Sequence, residues 1–168
     1  MSPSNVTPID RFLSTLAIVA REAKHLEWSR ARLFGQPIDA TWVESLAVSP
    51  ELAERLEAFI SRYGRLQDTL ADKLLPRWLL ALAEQPGSQI EVLNRAERLG
   101  VIDNVASWLE ARQLRNRLVH DYMTDSTSFA EDLNLAEAYS RTLCQTYQQL
   151  RRDAVKRLQI PKELLPDE

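Results

Sequence analysis

The sequence predicts an all-α protein, an antiparallel four-helix bundle with one additional short helix. Three observations carry this prediction. Apolar residues recur at helical spacing through most of the 168 residues, and no window sustains a strand's period of two. β-Branched residues are sparse. Glycine and proline fall between the periodic segments as punctuation. With no internal repeat and no low-complexity stretch, residues 1–168 read as a single helical domain, with 1–6 and 160–168 expected to be flexible.

The first helix is expected at 8–34. Thr7-Pro8 supplies an N-cap and a first-turn proline, and Gly35-Gln36-Pro37 closes the segment. The connection "QPIDATWVESLAVS", 36–49, has room for a short helical turn. Ser49-Pro50 repeats the opening device before a long helix at 50–85. Pro76 falls inside that periodic stretch and predicts a kink or break, while Gly64 weakens the same helix. Ser88 and Glu91 form a capping-box pattern that opens 88–100, and Gly87 and Gly100 stand where preceding helices should stop. A helix at 104–123 follows. Ser128 and Glu131 repeat the capping-box pattern at the head of 128–158, and "PKELLPDE" is expected to trail off.

Composition narrows the function classes. With 45% hydrophobic and 27% charged residues the chain is globular, and it is long enough to bury a core without disulfide or metal. The lone Cys144 cannot close an intrachain disulfide, which suits a reducing compartment. No basic segment leads into an apolar run, and no apolar run approaches membrane-spanning length, so a cytoplasmic protein with no membrane partner is expected. The net charge of −3 argues against a protein that coats nucleic acid non-specifically, although it leaves room for a local basic cleft.

Such a cleft has a candidate in "LRNRLVHDYM", 114–123. On a wheel at about 100° per residue, Val105, Trp108, Leu109, Val119 and Met123 form an apolar stripe. Arg112, Arg115 and Asn116 fall within or beside it, Tyr122 borders it, and His120 flanks the other side. A guanidinium facing a core must be paired or must line a wet cleft. Three arrangements satisfy that requirement: a salt bridge to a neighbouring helix with Asp68 or Asp72 as partner, a two-fold subunit interface, or a cleft for an anion. Phosphate is the natural anion, because the guanidinium fork matches it. Asn116, one turn before His120, is placed to orient the imidazole.

These groups suit transesterification of RNA. The ribose 2′-hydroxyl attacks the adjacent phosphate, histidine moves protons near neutral pH, and arginine stabilises the developing negative charge. Arg115 and His120 project about 140° apart on one helix, as two walls of a groove. A two-fold pairing of the chain joins two copies of each in one composite cleft. No histidine–carboxylate cluster has metal spacing, so no metal and no cofactor is expected. Asp68 and Asp72 lie one turn apart beside Arg65 and Lys73, which pairs them more naturally with cations than with a metal. His25 reads as an ordinary helix residue. Trp28, Trp42, Trp78 and Trp108 read as core or interface anchors and not as a base-stacking platform.

"RNRLVHDY" resembles the signature of the HEPN superfamily, an arginine, a polar residue, three more residues and a histidine. The tyrosine two positions on looks like the HepT-type toxins of prokaryotic toxin–antitoxin modules. The wider run "YGRLQDTLADKLLPRWLLALAE", "IEVLNRAERLG" and "WLEARQLRNRLVHDY" is similar to that family's layout over roughly 60–125. The resemblance implies a dimeric four-helix bundle with metal-independent endoribonuclease activity. Arg115 and His120 are its catalytic pair, with Asn116, Arg112 and Arg117 supporting them on the RNA phosphate. It also implies a minimal nucleotidyltransferase as antitoxin partner, which transfers AMP from ATP to Tyr122 in a type VII-like system. Two other readings stand beside it: a non-catalytic subunit that holds nucleotide or substrate for such a transferase, and a plain helical adaptor.

Overall fold

The computed structural model of the chain describes residues 5–122 and 124–168. Residues 1–4, from the N-terminal stretch expected to be flexible, and Met123, expected in the apolar stripe, lie outside the described residues. The described chain is all-helical and contains no strand. Its helices are α1 (Pro8–Leu33), α2 (Ala40–Ser45), α3 (Pro50–Thr69), α4 (Leu75–Ala81), α5 (Gln89–Arg98), α6 (Val105–His120) and α7 (Ser126–Lys156). A π-helical segment, Leu70–Leu74, joins α3 to α4, and 3-10 turns occupy Leu46–Val48 and Lys162–Leu164.

Local chemistry sets most of the boundaries. Thr7 and Asp10 form a reciprocal cap at the start of α1: the Thr7 hydroxyl accepts from the Asp10 N–H, and the Asp10 carboxylate accepts from the Thr7 N–H. Asp39 caps α2 by accepting from the Trp42 N–H at 2.8 Å. Ser88 caps α5 through the Glu91 N–H, as its pattern predicts. The second box does not form. The carboxylate of Asp125 accepts from the N–H groups of Thr127 and Ser128, so α7 begins two residues before Ser128. The charged side chain nearer the turn takes the exposed donors first.

Pro76 does not break the helix, which runs on from α3 through the π-segment into α4. Its missing N–H and its ring conflict with an ordinary α-turn, and the π-segment absorbs the conflict, with the Leu75 N–H reaching back to the Leu70 carbonyl. The helix then ends at Ala81, short of the expected 85. Ala83, with φ of 63°, makes the left-handed stop that Gly87 was expected to supply. The Glu84 N–H returns to the Leu79 carbonyl and the Ala83 N–H to that of Leu80, which closes the end.

The chain divides into two compact units. The first takes residues through Arg21, Asp68–Val105 and Gln145–Glu168. Phe12, Leu16, Leu70, Leu74, Trp78, Leu79, Val92, Leu93 and Leu150 are buried there. Asp153 of α7, itself buried, accepts a 2.6 Å hydrogen bond from the Trp78 indole and also pairs with Arg157. The C-terminal stretch, expected to trail off, is held instead. Arg151 donates to the Pro166 carbonyl at 2.8 Å, the Tyr147 hydroxyl donates to the Asp167 carbonyl, and Ile160 and Leu165 are buried.

The second unit, Glu22–Gln67 with Ala106–Cys144, carries segments of four long helices. Side-chain hydrogen bonds link them in a ring. Arg62 of α3 donates to Ser29 and to the His25 carbonyl of α1. The Tyr63 hydroxyl of α3 donates to the Ala111 carbonyl of α6 at 3.0 Å. Tyr139 and Asp132 of α7 meet Glu110 and Arg117 of α6. Arg30 of α1 meets Ser140 of α7, and the Cys144 thiol of α7 lies against the Ala23 carbonyl of α1. In the α6–α7 and α1–α7 pairs, residue numbers rise on one helix as they fall on the other, so these neighbours run antiparallel.

Burial in this unit pushes the Cys144 thiol up to about 11; the charge of Glu27 adds to the effect and Arg30 opposes it. The native thiol keeps a proton that the unfolded chain releases near its ordinary value of 9.0. Stability is therefore fully present below about pH 9 and declines as pH rises toward 11. Burial raises the Tyr63 phenol as well, in the same direction. Urea denaturation across that window should show a falling midpoint, with a shallower fall in Cys144→Ala. A midpoint equally steep in that variant removes the thiol from the account.

Candidate functional site

α6 is built around a face different from the predicted stripe. Trp108, Ala111, Leu114 and Leu118 are its buried residues. Val119 is 51% exposed, and Arg112 and Asn116 are exposed too. α3 meets α6 at two places, through the Tyr63 hydroxyl on the Ala111 carbonyl and through the Arg115 side chain at Gly64. Of the polar residues expected to interrupt the stripe, only Arg115 borders the buried face, where it is half-buried.

Arg115 lies across Gly64. A Cβ at that position of α3 would sit 2.8 Å from the Arg115 Nε, closer than real Cβ atoms come, and a tight 3.2 Å from its Cζ. The sequence marks Gly64 only as a weak spot in a helix, yet the missing side chain makes the trough in which the guanidinium lies. A buried glycine within a helix, "RYGRL", was the available signal.

His120 ends α6 and is exposed, on the side that also carries Asn116 one turn earlier. Arg115 thus lies against α3, while His120 is exposed to solvent. Arg117 is engaged elsewhere: its Nε and Nη2 donate to the two Asp132 oxygens at 3.2 and 3.1 Å. That hydrogen bond raises its already high pKa further.

Tyr122 lies past the helix end, since α6 stops at His120 and not at the expected 123. Its ring meets Phe129 edge-on, with centroids 5.5 Å apart. Partial burial, and after it the charge of Glu57, raise the phenol's pKa, so it is a neutral hydroxyl at physiological pH. Glu57 was not among the expected site residues. Seven positions separate it from Gly64, which puts both on one face of α3.

Among the described residues no three His, Cys, Asp or Glu side chains are grouped to hold a metal ion. Asp72, one of the acids considered as an arginine partner, accepts a 2.7 Å hydrogen bond from Gln89. No helix among the described residues is long and apolar enough to cross a membrane. Compared with known protein families, curated proteins and solved structures, the chain matches none of them.

Proposed function

We propose that the chain is a HEPN-type, metal-independent endoribonuclease, the toxin of a toxin–antitoxin module with a nucleotidyltransferase as its antitoxin. The observation that carries this reading is the placement of "RNRLVHDY". Arg115 is seated in the Gly64 trough at one side of α6, and His120 stands exposed at its C-terminal end. The ring of helical segments in the second unit is what a HEPN-like four-helix bundle requires. A second copy paired across a two-fold axis supplies the histidine that faces each arginine.

In the reaction the ribose 2′-oxygen attacks the adjacent phosphorus and the bond to the 5′-oxygen breaks. The products are a 2′,3′-cyclic phosphate and a 5′-hydroxyl. His120 takes the 2′-proton, the partner copy's imidazole protonates the leaving oxygen, and Arg115 stabilises the charged phosphorane. Asn116 and Arg112, both exposed on α6, contact the flanking phosphates. Arg117 joins them only by releasing Asp132.

Neutralisation uses Tyr122. Its oxygen attacks the α-phosphorus of ATP and pyrophosphate leaves. Because the phenol is neutral, the transferase must supply the base that accepts the proton. The added AMP places a phosphate beside the α6 end and competes with RNA for the arginines.

A non-catalytic reading draws on one specific observation, that Arg115 packs against α3 and Arg117 is bound to Asp132. Digestion of total RNA in EDTA separates the two. Wild type should cut and leave cyclic phosphate ends, while Arg115→Ala and His120→Ala should each lose activity by about 100-fold or more. An inert wild type, shown by mass to carry no AMP on Tyr122, would transfer the assignment to an accessory subunit of the transferase.

A further inference from the structure

A groove in the second unit, between α1 and α3, encloses about 400 Å³ and contains none of the "RNRLVHDY" residues. Its wall is Trp28. Of the four tryptophans expected as core or interface anchors, Trp42, Trp78 and Trp108 are buried, and Trp28, 60% exposed, is not a core residue. The exposed indole gives the groove a flat aromatic wall among polar and charged neighbours.

Two guanidiniums already lie over the ring, Arg32 at 5.2 Å and Arg62 at 5.9 Å from its centroid. Their situations differ. Arg62 is tied down, donating to the Ser29 hydroxyl at 2.6 Å and to the His25 carbonyl. Arg32 is exposed on a flexible stem and can swing aside. Arg55 is a third guanidinium in the groove lining. Among the described residues no ion pair holds Arg32 or Arg55. Ala58 keeps the floor low between them.

We infer that this groove binds one nucleotide unit, its base stacked on Trp28 and its phosphate held between Arg32 and Arg55. The chemistry fits each part. A flat ring that fixed and mobile guanidiniums cover is a surface a nucleobase can share, and base stacking of this kind tolerates any base. Two arginines without a bridged carboxylate make a fork for one phosphate. The lining also includes Glu51 and Glu54, so three guanidiniums face two carboxylates, and the surplus of one positive charge matches a single phosphate better than a triphosphate. The volume is that of a small-ligand pocket. The inference does not rest on the ribonuclease reading, because binding is measured without cleavage.

Titration of the full chain with AMP tests it. Since Trp28 is the exposed tryptophan, AMP should quench that fluorescence saturably. By calorimetry, Trp28→Ala should weaken AMP at least about fivefold, and Trp28→Phe should restore most of the affinity. Arg32→Ala combined with Arg55→Ala should weaken AMP without weakening adenosine, and ATP should bind no more tightly than AMP. A deoxyoligoadenylate, which has no 2′-hydroxyl to react, identifies the source. Tighter binding than AMP through the same residues makes the occupant a single strand, and equal or weaker binding makes it a free mononucleotide. Either result supports the site. No saturable binding of AMP or the oligonucleotide, or affinities indifferent to Trp28→Ala in a variant that melts like wild type, overturns it.

Discussion

Replacing Asp153 with alanine should destabilise the protein by about 3–5 kcal/mol, the largest stability effect expected of any single change discussed for this chain. Asp153 is 5% exposed on α7 and serves two donors at once. One of its oxygens accepts from the Trp78 indole, which is fully buried, and the other pairs with Arg157 one turn on. Truncation leaves the buried indole N–H without its acceptor, and it takes a carboxylate from the Arg157 guanidinium, which is two-thirds covered and keeps the Leu99 carbonyl as a hydrogen-bond acceptor. Asp153→Asn keeps an acceptor for the indole and loses the charge, so a smaller loss of about 1–2 kcal/mol is expected. Urea denaturation of the two variants beside wild type measures both. An alanine variant within about 1 kcal/mol of wild type would mean that water or another side chain takes over both donors.

Gly64→Ala should separate stability from activity. Alanine favours a helix over glycine by about 1 kcal/mol, so the backbone of α3 gains. The new methyl enters the space of the Arg115 Nε and Cζ, and the guanidinium has to leave its trough. The displaced group is the far end of a flexible side chain, so the melting temperature should hold or rise. On the proposed chemistry RNA cleavage should fall by about 100-fold, as when one stabiliser of a developing charge is removed. Gly64→Ala that cleaves like wild type would show that Arg115 works equally well from another position, or has no part in the reaction. Paired with Arg115→Ala, the variant gives a second check: once the guanidinium is absent, the methyl should have no further effect on cleavage.

Helix identity was legible because it depends on local terms. Thr7-Pro8, Ser88 and Gly100 act through neighbours within four residues, and spacing in the chain is enough to read them. The cap of α7 was misread where two local devices competed, Ser128 against Asp125, and periodicity does not rank competitors. Pro76 was correctly seen as a disturbance, but its resolution into a π-segment depends on Leu70, Leu74 and Leu75 all being buried, which keeps the helix continuous.

The site was half legible. The residue types in "RNRLVHDY" pointed to phosphate chemistry without any structure, because arginine and histidine carry that chemistry in their own pKa and shape. Which of them face inward was not. Spacing favours Val105, Leu109 and Val119, whereas burial follows Ala111, Leu114 and Leu118, and α3, which meets α6 through the Tyr63–Ala111 hydrogen bond, lies some fifty residues away in sequence. The position of Trp28 outside the core was hidden for a similar reason: an indole on a helix has the same spacing whether a neighbour covers it or a groove opens beside it.

By itself, then, the sequence determined that this chain is helical, where most of its long helices begin, and that one segment carries arginine, asparagine, histidine and tyrosine in an order suited to phosphate. The tertiary structure decided that Gly64 receives Arg115, that Asp132 engages Arg117, that Asp153 holds Trp78, and that Trp28 stands open to solvent. The division has one physical reason. Backbone propensity and capping are settled between residues a turn apart, while burial and pairing are settled between residues that only the packed helices bring together.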